Sequence, residues 1–223
     1  MAGRDRGRAH VRPYTAKDHA AVWALAADTA FFGDSVEAHL DDRALFCAAF
    51  VAYYTDYEPE RLWVAEMDGA VVGYVTGCGD SRRQAWTFRS RILPAVLWGV
   101  LRRRYRVGIK TLRFGLRMAC EGLQHGQPDV SLDRFPGHLH INVLARARGI
   151  GIGRALLERS LSQFWATDVP GVHLSTTDHN VAACHLYESV GFRLLHAWST
   201  RLWHGLVDRP VERRIYGIRP TWS

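Results

Sequence analysis

With 223 residues, 48% of them hydrophobic and 23% charged, the chain has the balance of a folded globular protein with a proper core, which excludes disorder and low complexity. Its net charge of +7 is local: residues 81–120 hold eleven Lys or Arg and no Asp or Glu, while the remainder is close to neutral. Four widely separated cysteines (Cys47, Cys78, Cys120, Cys184) support neither a disulfide framework nor a zinc site, and the longest apolar run, Ile92 to Leu101, is far too short to span a bilayer. Because the basic stretch Met1 to Arg12 leads into no apolar segment, a cytoplasmic setting is expected.

Taken in order, His10 to Tyr14 reads as a first strand, and Thr15 with Asp18 three residues on predicts a capped helix carrying Val22, Leu25 and Ala26. A second helical region, about Val36 to Tyr54, follows a turn at Gly33-Asp34. The clearest hairpin is Leu62 to Met67, then Asp68-Gly69, then Ala70 to Thr76. The basic segment reads as helices interrupted at Pro94, Gly99 and Gly108, closing in a loop from Gly122 to Pro136. Its charge fits either a surface for an anionic partner or a solvated helical face.

His138 to Leu144 alternates, with Leu139, Ile141 and Val143 on one face and His138, His140 and Asn142 on the other. Arg148-Gly149-Ile150-Gly151-Ile152-Gly153 follows, and then a helix in which Leu157, Leu161 and Phe164 repeat at helical spacing. Val172 to Thr176 predicts another strand, and Asn180 to Val190 a helix with Asn180 as its N-cap and Gly191 as its stop. Phe192 to Trp198 and Glu212 to Ile218 predict two further strands, antiparallel to one another. The order describes one α/β domain over residues 1–223, a mixed, mostly antiparallel sheet of six to seven strands flanked by helices. Residues 81–135 form a basic helical insert before the central strand.

Glycines at 149, 151 and 153 let several amide N–H groups converge beside a helix N-terminus, an arrangement that binds phosphate. Spacing narrows the type. A nucleotide P-loop requires Lys-Ser/Thr after its last glycine, where Arg154-Ala155 stands here, and the dinucleotide fingerprint requires G-x-G-x-x-G early in a βαβ unit. What remains is Arg-x-x-G-x-G between a strand and a helix. In that context Arg148 to Leu157, with Asn180-x-x-Ala183-x-x-Leu186-Tyr187-Glu188-x-x-Gly191-Phe192 downstream, resembles the two motifs of the GNAT N-acetyltransferase superfamily. More narrowly, Tyr57 to Glu60, Gly73 to Gly77 and Phe135 to Asn142 are similar to the acetyltransferase-like domain of bacterial O-GlcNAcase relatives; no glycosidase is implied.

The resemblance implies acetyl-CoA as cosubstrate and assigns roles. Backbone amides of Arg148, Gly149, Ile150, Gly151, Ile152, Gly153 and Arg154 would cradle the pyrophosphate, and pantetheine would run beside Val143, Leu144 and Ala145. The Val143 N–H matches the position that polarises the thioester carbonyl, Tyr187 the general acid for the departing thiolate, and Asn180 a contact to pantetheine. By residue type alone Tyr187 reads as a core aromatic packed with Ala183 and Val190, and Asn180 as a simple cap; the motif context assigns the other roles. For the acceptor side His138, His140 and Asn142 share one face. His140 is the first choice of base because an ordinary His titrates near working pH, with Glu66 and Asp178 in reserve. A metal reading of His138 and His140 lacks a third ligand.

The expected acceptor is therefore a small-molecule or peptide amine, acidic if the basic insert selects it. A domain that binds acetyl-CoA or a peptide without catalysis is the alternative. Specific nucleic-acid binding lacks a recognition motif. Trp198, Trp203 and Trp222 near the C-terminus permit a homodimer.

Overall fold

The computed structural model describes residues 9–31, 33, 35–125, 130–200, 202–203 and 210–220. Strand β1 (His10–Pro13) lies antiparallel on β2 (Trp63–Met67), which returns through Asp68-Gly69 into β3 (Ala70–Cys78). Both turn residues take positive φ, 53° and 74°, as a tight hairpin requires, so the Asp-Gly signal is realised. Strand β4 (Gly137–Val143) pairs antiparallel with β3 from His138 to Val143. β5 (Val172–Thr177), β6 (Arg193–Thr200) and β7 (Val211–Ile218) complete a seven-stranded sheet in the order β1-β2-β3-β4-β5-β7-β6. Among the described residues only β4 and β5 run parallel, through two residue pairs, Gly137 with Val172 and His138 with His173. Beyond His138 the two strands diverge.

Helix α1 (His19–Asp28) covers one face and continues from a short turn, Ala16–Asp18, that the capping box of Thr15 and Asp18 opens. The expected helical region over about Val36 to Tyr54 is divided into a short turn at Val36–Ala38, α2 (Arg43–Phe50) and α3 (Ala52–Asp56). The cause is local. Asp42 caps α2 by accepting from Leu45 N at 3.0 Å, and its other oxygen accepts from Arg106 N at 2.8 Å. Asp41 accepts from Gly108 N and Thr111 N, both at 2.9 Å, so these two carboxylates moor the basic insert.

On the opposite face α7 (Ile152–Ala166) and α8 (Val181–Val190) pack against the sheet. Leu156, Leu157, Leu161 and Phe164 are buried there with Val75, Leu139 and Val172, each large side chain stabilising the fold by about 1.5–3 kcal/mol. The close approach depends on Gly77, where a Cβ would stand 2.6 Å from Phe164 Cζ.

The insert comprises α4 (Ser81–Thr87), a widened turn over Phe88–Ile92, α5 (Leu93–Leu101) and α6 (Ile109–His125). Of its three expected interruptions only the one at Gly99 is absent: α5 begins afresh at Leu93 after the widened turn, with Pro94 next. Pro94 sits in the first turn of α5, where its missing N–H costs little, and Gly99 lies inside that helix because a Cβ there would meet Tyr105 at 2.4 Å. The break falls at residues 102–108. Among the described residues no helix is long and apolar enough to cross a membrane.

Candidate active site

The divergence of β4 from β5 opens a gap in mid-sheet, and a cavity of about 790 Å³ runs from it. The backbone of β4 is oriented toward this gap by parity. Leu144 N–H donates to Val72 O on β3 at 2.9 Å, whereas Gly137 N–H donates to Gly171 O on the β5 side at 3.1 Å. N–H directions alternate along a strand, so those of Leu139, Ile141 and Val143 share the direction of Gly137. The Val143 amide is thus aimed into the gap.

The glycine loop stands at the mouth of the gap. Gly149 and Gly151 have φ of 77° and 88°, and Gly151 is the residue from which the fifteen-residue α7 starts. A Cβ at either would meet nothing within 4 Å, so conformation rather than crowding demands glycine there. Gly153 differs: its Cβ would lie 2.9 Å from Leu186 Cδ2, so this glycine lets α8 approach α7. The first-turn amides of α7 and the helix dipole face the cavity, which Gly149, Gly151, Gly153, Arg148 and Arg154 help to line. Arg148 Nε donates to Val143 O at 2.9 Å, and Arg154 donates to Ser189 Oγ at 2.8 Å. Ile152 is buried in the core and Ile150 is exposed, and neither is part of the cavity lining. Leu144 continues the pairing with β3, and Ala145 begins a short turn through Ala147.

From α8, Asn180 caps the helix by accepting from Ala183 N at 3.4 Å and also lines the cavity. Tyr187 reaches the same cavity while its ring packs 5.9 Å from Phe192 and 6.0 Å from Tyr216. Asn180 is thus a helix cap and Tyr187 a packed aromatic, and each also borders the cavity. Burial pushes the Tyr187 phenol well above its ordinary value, so it carries its proton throughout the neutral range.

The acceptor face is less uniform than its alternation suggests. Asn142 lines the cavity and donates to Thr29 Oγ1 at 2.8 Å and to Tyr74 OH at 3.2 Å. His140 opens on the cavity, yet the surrounding fold lowers it to about 4, through desolvation first and then the charges of His173 and Arg213. The ordinary titration that favoured it as a base does not apply here. His138 is not part of the lining. It is bonded to Tyr54 OH at 2.5 Å through Nε2 and lies 2.9 Å from Cys78 Sγ and 3.1 Å from Ser81 Oγ through Nδ1. Glu66 pairs with Arg12, and Asp178 accepts from Glu212 N, so neither reserve carboxylate faces the cavity.

Sequence reasoning missed the far wall. Arg213 of β7 lines the cavity, donates to Ser175 Oγ of β5 at 3.0 Å and lies 5.4 Å over the Trp198 ring. Burial lowers its pKa, opposed by the charge of Glu121. Phe31 makes edge contacts with Phe114 of α6 and with Trp203, at 5.4 and 5.5 Å, and all three border the cavity. The insert therefore meets the cleft through Phe114 and Met118, and Arg102, Arg103 and Arg104 are not part of its wall. Trp198 and Trp203 are half-buried, against Arg213 and Phe31 respectively, and Trp222 lies outside the described residues.

Residues 118–194 match the family model described as an acetyltransferase (GNAT) domain. The chain is 30% identical to the protein solved as SsHAT, with 95% of this chain and 98% of that one covered and a TM-score of 0.73. An N-acetyltransferase from Staphylococcus aureus Mu50 is 18% identical, covering 95% of this chain and 98% of its own, with a TM-score of 0.58. A GNAT superfamily phosphinothricin acetyltransferase from Sinorhizobium meliloti, solved in complex with acetyl-CoA, is 16% identical, covering 95% and 88%, with a TM-score of 0.56. The latter two are likenesses of fold.

Proposed function

The chain belongs to the GNAT acetyltransferase superfamily, and from that premise we propose that it is an acetyl-CoA-dependent N-acetyltransferase acting on an amine in a ternary complex. One observation carries this reading: the Val143 amide aims into the gap that ends at the glycine loop and the N-terminus of α7. The loop amides from Arg148 to Arg154 would hold the pyrophosphate, and the free edge of β4 would pair with pantetheine as an added strand does. Bound acetyl-CoA would supply an acetyl group activated as a thioester.

The protein's groups then divide the work. The Val143 N–H stabilises charge on the reacting carbonyl oxygen. Tyr187, protonated at neutral pH, donates the proton that the leaving thiolate takes up, and the proton lost by the attacking amine returns to it through cavity water. His140 stays neutral above about pH 4 and accepts a hydrogen bond from the incoming amine rather than storing its proton. Asn142, fixed by Thr29 and Tyr74, forms the floor beside it. The wall of Phe31, Phe114 and Trp203 favours an acceptor with an apolar group next to its amine. The narrower kinship with the acetyltransferase-like domain of O-GlcNAcase relatives rests on the sequence motifs Tyr57 to Glu60, Gly73 to Gly77 and Phe135 to Asn142.

Calorimetric titration with acetyl-CoA tests the reading. Stoichiometric binding that disappears in Gly151→Glu supports it and opens a panel of amines; absence of binding by the native protein overturns it.

A further inference from the structure

The basic insert presents apolar stripes to solvent. On α5, Leu93, Leu97 and Leu101 stand at i, i+4 and i+8, and Leu101 is 72% exposed. On α6, Ile109, Leu112 and Leu116 stand at i, i+3 and i+7, and Leu116 is 67% exposed. Amphipathic stripes ordinarily face a core. Here the inward contacts of α6 are made by other residues, Thr111 on Asp41 and Phe114 on Phe31, so the second stripe is a surplus. Trp86 and Trp98 are also more than half exposed, and Arg102 lies 4.7 Å over the Trp98 ring.

Charge decides what covers this face. Residues 81–120 carry eleven basic side chains and no acidic one, and four of them, Arg102, Arg103, Arg104 and Arg106, cluster where α5 ends. A second copy of the chain would bring two such faces together and set like charges against each other. Nucleic acid would satisfy the arginines but offers no apolar phase for Leu97, Leu101, Leu112 and Leu116. An anionic bilayer surface supplies both: phosphates for the arginines, a headgroup boundary where Trp resides, and acyl chains for the leucines.

We propose that α4, α5 and α6 dock the protein on an anionic lipid surface, with the two leucine stripes entering the boundary between headgroups and acyl chains. The protein lies on the membrane and does not span it, in keeping with the lengths of these helices.

Flotation of the purified protein with vesicles tests this. Vesicles containing phosphatidylglycerol should carry the protein upward, and pure phosphatidylcholine vesicles should carry about tenfold less, as should phosphatidylglycerol vesicles at high salt. Changing Leu97, Leu101, Leu112 and Leu116 together to Glu should reduce binding by about tenfold or more, with circular dichroism establishing that the variant folds. Arg102, Arg103 and Arg104 changed to Gln should weaken binding with the leucines intact. No flotation with phosphatidylglycerol vesicles overturns the proposal, as does flotation that the folded leucine variant retains in full. A native dimer that this variant converts to monomer, seen by sedimentation, also overturns it and makes a second copy the occupant.

Discussion

Arg148 Nε donates to the carbonyl oxygen of Val143 at 2.9 Å, strapping the glycine loop to the end of the strand whose amide faces the gap. The contact sets the distance between the proposed pyrophosphate cradle and the proposed site of carbonyl polarisation. Arg148→Ala is expected to weaken acetyl-CoA binding about tenfold, the scale of one charge-assisted hydrogen bond. Arg148→Lys should not restore it, because an ammonium cannot reproduce the directed Nε–H. Calorimetry on the two variants checks both statements.

Tyr187→Phe keeps a ring that packs on Phe192 and Tyr216 and removes only the hydroxyl. Acetyl-CoA affinity and melting temperature should hold, while kcat falls by about 10²–10⁴-fold, the range for a general acid. Because burial raises the phenol well above its ordinary value, the native pH profile should show no alkaline loss from this group between about pH 7 and 9. Steady-state kinetics across that range decide it.

Two glycines should fail for different reasons. Gly77→Ala forces a Cβ to within 2.6 Å of buried Phe164, so overpacking should cost about 1–3 kcal/mol. Gly151→Ala meets open space but must hold φ at 88°, a strain of about 1–2 kcal/mol. Denaturant unfolding should rank both below the native protein. Only Gly151→Ala should also raise the acetyl-CoA Kd.

Acid should loosen the fold through its histidines. Burial lowers His138 and His173, and His140 falls to about 4, while in the unfolded chain each titrates near 6.5. Between those values the unfolded state binds more protons, so stability rises as pH increases from about 4 to 6.5 and is lost on acidification through that window. These three histidines add no further slope above about pH 7. His140→Gln should flatten the acid limb of stability measured by denaturation at a series of pH values.

The acceptor wall is tested by Phe114→Ala. Acceptor KM should rise while the acetyl-CoA Kd is unchanged, since Phe114 borders the cavity from α6 and not from the glycine loop. Equal weakening of both ligands would show that α6 shapes the whole cleft.

What the sequence determined by itself is what lies within a few residues of its cause. The Asp68-Gly69 turn, the Thr15 and Asp18 capping box, the alternation of β4 and the positive φ at Gly149 and Gly151 follow from backbone preference and periodicity. The family's two motifs were legible for the same reason, each being one continuous strand-turn-helix or helix. The acceptor site was not, because its walls come from segments far apart in the chain. Arg213 meets Ser175 only because β7 inserts between β5 and β6, and Phe31 meets Phe114 only because Asp41 and Asp42 moor the insert beside α1. The histidines mark the boundary most sharply. By alternation His138 and His140 are equivalent, but His138 lies where β4 still pairs with β5 and His140 lies beyond the point of divergence. One is therefore locked into a network with Tyr54, Cys78 and Ser81, and the other opens on the cavity, a distinction that strand pairing creates and local sequence does not contain.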